Sequence, residues 1–180
     1  LDYGLVRLGR SQRDPYNTLD WLMQVNEAAG LQGTFYVMVG GRHPRFDPVI
    51  QWESAAFRRQ LVELVSRGHR LGLHPSYDSG VIPGQLSREV ECFRAGCRDL
   101  GIDPEPLTVR QHYLRCRVPD TLRELAALGV AEDSTLGYPA APGFRCGTCQ
   151  AFPLYDLEGR RPLEVRERPL LAMDTVLFVG

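Results

Sequence analysis

Lysine is absent from this chain: all 21 basic residues are arginine. They are scattered along the sequence, so the codon bias of a GC-rich genome accounts for them better than a binding surface does. Against 22 acidic residues they leave a net charge of −1. That balance indicates neither a nucleic-acid footprint nor a polybasic membrane patch. No apolar run approaches the roughly 20 residues of a membrane span, and no signal peptide opens the chain. Nor does a methionine: a chain that starts at Leu1 reads as processed or truncated. Internal repeats and low-complexity tracts are also missing. Five cysteines, Cys92, Cys97, Cys116, Cys146 and Cys149, are an odd number, which excludes a simple disulfide framework and favours a reducing compartment such as the cytoplasm.

What remains is the composition of an ordinary globular chain, 43% hydrophobic and 24% charged over 180 residues. This is enough for one domain, 1–180, and too little for two. Helical and extended patterns alternate. Thr18–Ala29 places Leu19, Leu22, Met23 and Val25 on one face and stops at Gly30. "GTFYVMVG" predicts a buried strand, and "ESAAFRRQLVELVSRG" a helix with Phe57, Leu61, Leu64 and Val65 inward. "HRLGLHP" is the next strand. Ser87 is placed to cap a third helix that has Glu89 in its first turn. "PLTVRQHY" and "VAEDSTLGY" predict strands on either side of a helix with Pro119 in its first turn. Residues 137–150 form a loop, and two extended pieces close the chain, "AFPLYDL" and "PLLAMDTVLFVG".

That alternation defines an α/β fold with a parallel sheet and helical crossovers. Ligands in such folds sit at the carboxyl ends of strands. Here those ends carry His74 to Asp78, Arg110 to His112 and Asp133 to Thr135, polar groups just past apolar runs. A neutral imidazole suits zinc, and a carboxylate on the next bend can join it. His74 and Asp78 are therefore candidate metal ligands. Residue types alone leave the other account open, a buried strand-end histidine and a turn aspartate.

"GHRLGLHPSYDS", residues 68–79, resembles the second motif of the polysaccharide deacetylases (carbohydrate esterase family 4, NodB-like), in which a strand delivers a metal-binding histidine, usually with a second four residues on. "GLQGTFYVMVG" is similar to the strand before it. "VRQHYLR", the long stretch from "PDTLRELAALGV" to "GFRCGTC", and "ERPLLAMDTVL" resemble an uncharacterised bacterial branch of that family. The resemblance implies a distorted parallel (β/α) barrel and a divalent metal, zinc above all. It implies hydrolysis of N-acetyl or O-acetyl groups on an amino-sugar polymer, an oligosaccharide or a precursor. His74 matches the first metal histidine, and Asp78 stands where the second belongs. Arg110 matches the arginine that orients a catalytic aspartate. Asp133 falls where an acidic motif holds that arginine or shapes the site. His112 is a substitute ligand or acid, or a hydrogen-bonded loop histidine.

The family's first motif, an aspartate pair, and its last, a general-acid histidine, have no counterpart in these residues. The expectation is a barrel incomplete at both termini, or else an inactive carbohydrate-binding relative. A third reading centres on Cys146-Gly-Thr-Cys149 as a redox or structural-metal pair with Cys116 beside it; two residues packing a loop is its alternative. His43 is read as an exposed loop histidine, with a place lining the same mouth as its alternative, and His69 as a helix-end cation. Trp21 and Trp52 are read as packing residues, with a sugar platform as the alternative for Trp52.

Overall fold

The computed structural model describes residues 17–41, 43–48 and 52–177. Its strands are Thr34–Val37 (β1), Arg70–Leu73 (β2), Thr108–Val109 (β3), Glu132–Asp133 (β4), Phe152–Asp156 (β5) and Arg161–Glu167 (β6). They form one sheet in the order β1-β2-β3-β4-β6-β5. β1 to β4 and β6 are mutually parallel, and β5 pairs antiparallel with β6. The helices are Leu19–Ala28 (α1), Ala55–Ser66 (α2), Gln85–Asp99 (α3), Asp120–Ala127 (α4) and Asp174–Leu177 (α5), with a 3-10 turn at His112–Leu114. The α/β alternation is as the sequence indicates. Closure into a barrel is not seen among the described residues, where β1 and β5 are the two edges.

The core lies between the sheet and α2, α3 and α4. Leu61 and Leu64 of α2, Leu86, Val90, Phe93 and Cys97 of α3, and Leu122 and Leu125 of α4 are buried. All but Leu64 join Leu71, Leu73, Val109, Leu163 and Val165 of the strands in one cluster. Ser54 starts α2 by accepting the Phe57 amide, satisfying a first-turn donor. α3 begins earlier than expected, at Gln85, after Gly84 turns the chain with φ of +71°. Ser87 therefore lies inside the helix rather than capping it. Gly96 lets α3 approach Trp52, because a Cβ there would run into the indole. Trp52 is thus a packing residue, edge-on to Phe57 and tilted against Phe93.

Two expectations need correction. "PLLAMDTVLFVG" is not a strand: α5 occupies Asp174–Leu177, and residues 178–180 lie outside the described set. The closing strand is instead β6, "RPLEVRE", which buries Leu163, Val165 and Glu167 on one face and exposes the alternate residues. α1 buries only Met23, while Trp21, Leu22 and Val25 are exposed.

Register positions the site. Leu73, Val109, Asp133 and Glu167 pair across β2, β3, β4 and β6, and all four are fully buried. The ladder continues one residue further through Arg110 N–H to the Leu73 carbonyl, Ser134 to Val109 and Arg168 to Asp133. Successive side chains in a strand point to opposite faces. His74, Arg110, Ser134 and Arg168 therefore form a second row on the face away from α2, α3 and α4.

Removing the largest core side chain tests this packing. Phe93→Ala is expected to lower the unfolding free energy by about 3–5 kcal/mol, read from urea denaturation with an unchanged slope.

Candidate active site

His74 leaves β2 as its backbone N–H bonds the Val37 carbonyl at 2.8 Å. The following turn is clamped from below by Glu89 of α3. That carboxylate accepts from the Ser76 amide at 2.7 Å, from the Ser76 hydroxyl and from Gln85 Nε2 at 2.6 Å. Glu89 is buried and lies past the first turn of α3, so its expected role at the helix start gives way to a structural one. The signal was its place in the inward stripe Leu86, Glu89, Val90, Phe93.

The His74 ring lies between two groups. Nδ1 meets the Arg110 carbonyl at 2.5 Å, and Nε2 meets His112 Nδ1 at 3.0 Å. His112 Nε2 in turn meets the Phe46 carbonyl at 2.8 Å. A carbonyl can only accept, so each ring gives its N–H to the backbone. Two neutral imidazoles carry two protons, and both are spent on those carbonyls. The facing nitrogens then present lone pairs to one another, and that contact is favourable only with a cation between them, a proton or a metal ion. Burial holds the His74 pKa down, at about 4, so this ring is neutral in ordinary conditions. The bond to Arg110 opposes that shift and is outweighed.

Arg110 is the third member. Its Nε and Nη2 donate to the carbonyl and hydroxyl of Ser134, at 3.0 and 2.9 Å, and its guanidinium lies 4.6 Å over the Tyr36 ring. Tyr36 bonds Thr108 through its hydroxyl. Gly72 is required here because a Cβ would lie 2.7 Å from the Tyr36 ring and 3.0 Å from Thr108. His74, Arg110, His112 and Tyr36 line a cavity of about 1140 Å³. Tyr113, 59% exposed, joins them, held with Leu114 in left-handed backbone at φ of 55° and 53°.

The remaining predicted residues lie elsewhere. Asp78 pairs with Arg115 at 3.4 Å, and it is not among the cavity-lining residues. Its backbone carbonyl receives the Val81 and Ile82 amides, the behaviour of a turn residue. Asp133 belongs to the buried row and accepts from Thr135, not from Arg110. The expectation that it shares an open mouth with Arg110 is corrected by this one-residue offset. Its partner Glu167, opposite it on β6, was not foreseen. Among the described residues no three histidine, cysteine, aspartate or glutamate side chains gather closely enough to hold a metal by themselves.

The thiols are free and belong to no helix start or second pair. Burial, and next the charges of Asp133 and Glu167, push Cys116 up to about 12; burial likewise raises Cys146. Such thiols are poor nucleophiles. His43 is half-buried, accepts the Arg45 and Phe46 amides at Nδ1 and stacks on Phe46. His69 is buried, not an exposed helix end: Nδ1 accepts the Gly33 amide, and Nε2 lies 3.4 Å from Glu27.

No family profile and no curated protein matches the chain. Its fold is similar to a crystal structure from Mycobacterium smegmatis provisionally described as a polysaccharide deacetylase, with a TM-score of 0.60 and 16% identity. The match covers 87% of this chain and 46% of that one. The likeness establishes the fold, and the chain spans less than half the length of the protein it matches.

His74 gives a test of the site's electrostatics. Its folded pKa of about 4 lies below the ordinary 6.5, so its contribution to stability is complete above pH 6.5 and is lost as pH falls toward 4. The loss is about 3 kcal/mol at 1.36 kcal/mol per unit. Unfolding free energies of the metal-free protein, measured between those limits, are expected to show this slope and His74→Gln to lack it.

Proposed function

We propose that the chain is a deacetylase-type hydrolase domain that removes N-acetyl or O-acetyl groups from an amino-sugar polymer or oligosaccharide. The observation that carries this reading is the pair of facing ring nitrogens, His74 Nε2 and His112 Nδ1, each with its other nitrogen bound to a backbone carbonyl. A carbonyl on the far nitrogen is the outer-shell arrangement of metal-binding histidines, since it fixes the tautomer and aims the lone pair. Nitrogen ligands on one tetrahedral zinc stand about 3.3 Å apart for bonds of about 2.0–2.1 Å. The 3.0 Å between these two nitrogens fits a shared ion with little movement. His112 thus replaces Asp78 as the proposed second ligand. Water supplies any further ligands.

His74 and His112 would hold a divalent metal, which would supply Lewis-acid polarisation of an acyl carbonyl and a nucleophilic water near neutral pH. The chain's own residues do the rest. His74 stays neutral and keeps its lone pair forward. Arg110, fixed by Ser134 and stacked on Tyr36, places a permanent positive charge beside the reacting centre, suited to an orienting partner carboxylate or to an oxyanion. Tyr113 offers an exposed aromatic face at the cavity rim, a suitable surface for the apolar face of a sugar ring. The raised thiols of Cys116 and Cys146 support this reading over a redox one.

Zinc titration of the metal-free protein tests the proposal. Stoichiometric binding is expected, weakened in His74→Ala and in His112→Ala by more than the ~10–100-fold typical of an outer-shell loss, and unchanged in Asp78→Asn. Acetate release from N-acetylglucosamine oligomers by the zinc-loaded protein, absent in His74→Ala, completes it. Equal, negligible zinc in all variants would sink the metal-dependent reading and favour a carbohydrate-binding relative without the chemistry.

A further inference from the structure

Behind the sheet lies a group of ionisable residues that the proposed reaction leaves unused. Asp133 and Glu167 stand opposite one another in register on β4 and β6, each fully buried. Asp133 Oδ1 accepts the Thr135 hydroxyl at 2.6 Å, and Glu167 Oε1 accepts the Leu136 amide at 2.9 Å. The remaining oxygens, Oδ2 and Oε2, are buried without a hydrogen-bond partner. The charged and titratable groups around them are Arg110 at the end of β3, Cys116 before α4, and Arg145 and Cys146 from the 137–150 loop. Arg110 is spent on Ser134 and Arg145 on the Gly137 carbonyl. Among the described residues no cation forms an ion pair with either carboxylate.

Two carboxyls side by side on neighbouring strands and away from water are not both ionised. We infer that Asp133 and Glu167 act as one acid holding a single proton, and that this acid positions His74 from behind the sheet through Thr135 and the peptide group joining Arg110 to Gln111. The route is continuous. Thr135 gives its proton to Asp133, which leaves its oxygen to accept the Gln111 N–H at 2.9 Å. That N–H and the Arg110 carbonyl belong to one planar peptide, so fixing the first fixes the second. The carbonyl receives His74 Nδ1. Glu167 carries the shared proton, since burial and then the Asp133 charge both push it upward. Asp133 and Glu167 are positioning residues, and they touch nothing in the cavity that reacts.

The inference takes from the proposed function only that His74 matters. Its readouts need neither substrate nor metal, so the failure of either reading leaves the other standing. In the metal-free chain at pH 7, an infrared carboxylic-acid stretch is expected, and it disappears in Glu167→Gln. With both carboxyl pKa values raised above 3.8 and 4.5, the native state binds more protons than the unfolded chain. Stability therefore falls as pH rises beyond those values until the pair loses its proton, and Glu167→Gln flattens that fall. The decisive readout is the His74 Nδ1–H proton resonance, which a merely structural pair would not move. It is expected to shift between pH 7 and 9 as the acid band disappears, and to stay fixed in Glu167→Gln. If Glu167→Gln does not fold, Asp133→Asn, which keeps an acceptor for Thr135, is expected to retain the acid band on Glu167 and, having lost the charge that draws Thr135, to show the His74 resonance displaced at pH 7. No acid band at pH 7, or a His74 resonance indifferent to its loss, overturns the inference.

Discussion

The peptide group between Arg110 and Gln111 is held from both sides of the sheet. Its N–H is taken by Thr135 in the buried layer and its C=O by His74 in the cavity, so the same rigid plane is pinned at both ends. The orientation of His74, the direction of its free lone pair and the approach of His112 all follow from that plane. So does the position of Arg110, whose side chain leaves the same residue toward Ser134. The sequence produces the arrangement cheaply, since β3 is only two residues long and the chain turns at once into the 3-10 segment.

Much of this is legible from residue order because strand ends announce themselves as polar groups behind apolar runs. His74, Arg110 and His112 are found that way, and the structure brings them together. Asp133 is misplaced for a definite physical reason. A two-residue strand carries no period from which parity can be read, and a shift of one residue moves a side chain to the opposite face. Asp78 fails differently: the backbone turns between residues 76 and 82, and its carboxylate follows Arg115. β6 is hidden because its arginines and glutamates obscure a clean alternation of Leu163, Val165 and Glu167. Glu89 and Glu167 share one lesson. A carboxylate standing in an inward apolar stripe is a buried acid with a particular partner, and neither charge nor hydropathy alone reveals it.

The buried acids are affordable because the layer around them is densely apolar. Phe93, Leu86, Val90, Leu107, Leu125 and Val165 are all without solvent exposure. An unpaired buried polar group costs about 1–3 kcal/mol, so the two unmatched carboxyl oxygens would be a liability if both were charged. A shared proton removes one charge and converts the conflict into a hydrogen bond. The same logic operates on the other face, where the lone pairs of two facing imidazole nitrogens repel until a cation lies between them. Each face of the sheet therefore has one place where two like groups require something between them.

These two places are coupled in sign as well as in space. The acid behind the sheet keeps one negative charge on Asp133, which draws the Thr135 hydroxyl toward it and so aligns the peptide dipole with its carbonyl toward His74. Hydrogen bonding of Nδ1–H to that carbonyl raises the electron density at Nε2 and makes it the better base or ligand. Burial works against a charge on His74 itself, holding its pKa at about 4. The ring is thus kept neutral by its surroundings and electron-rich by its partner, two requirements that desolvation alone would not meet. An imidazole prepared in this way is suited to hold a cation rather than to become one, and that is the property the proposed metal site draws on.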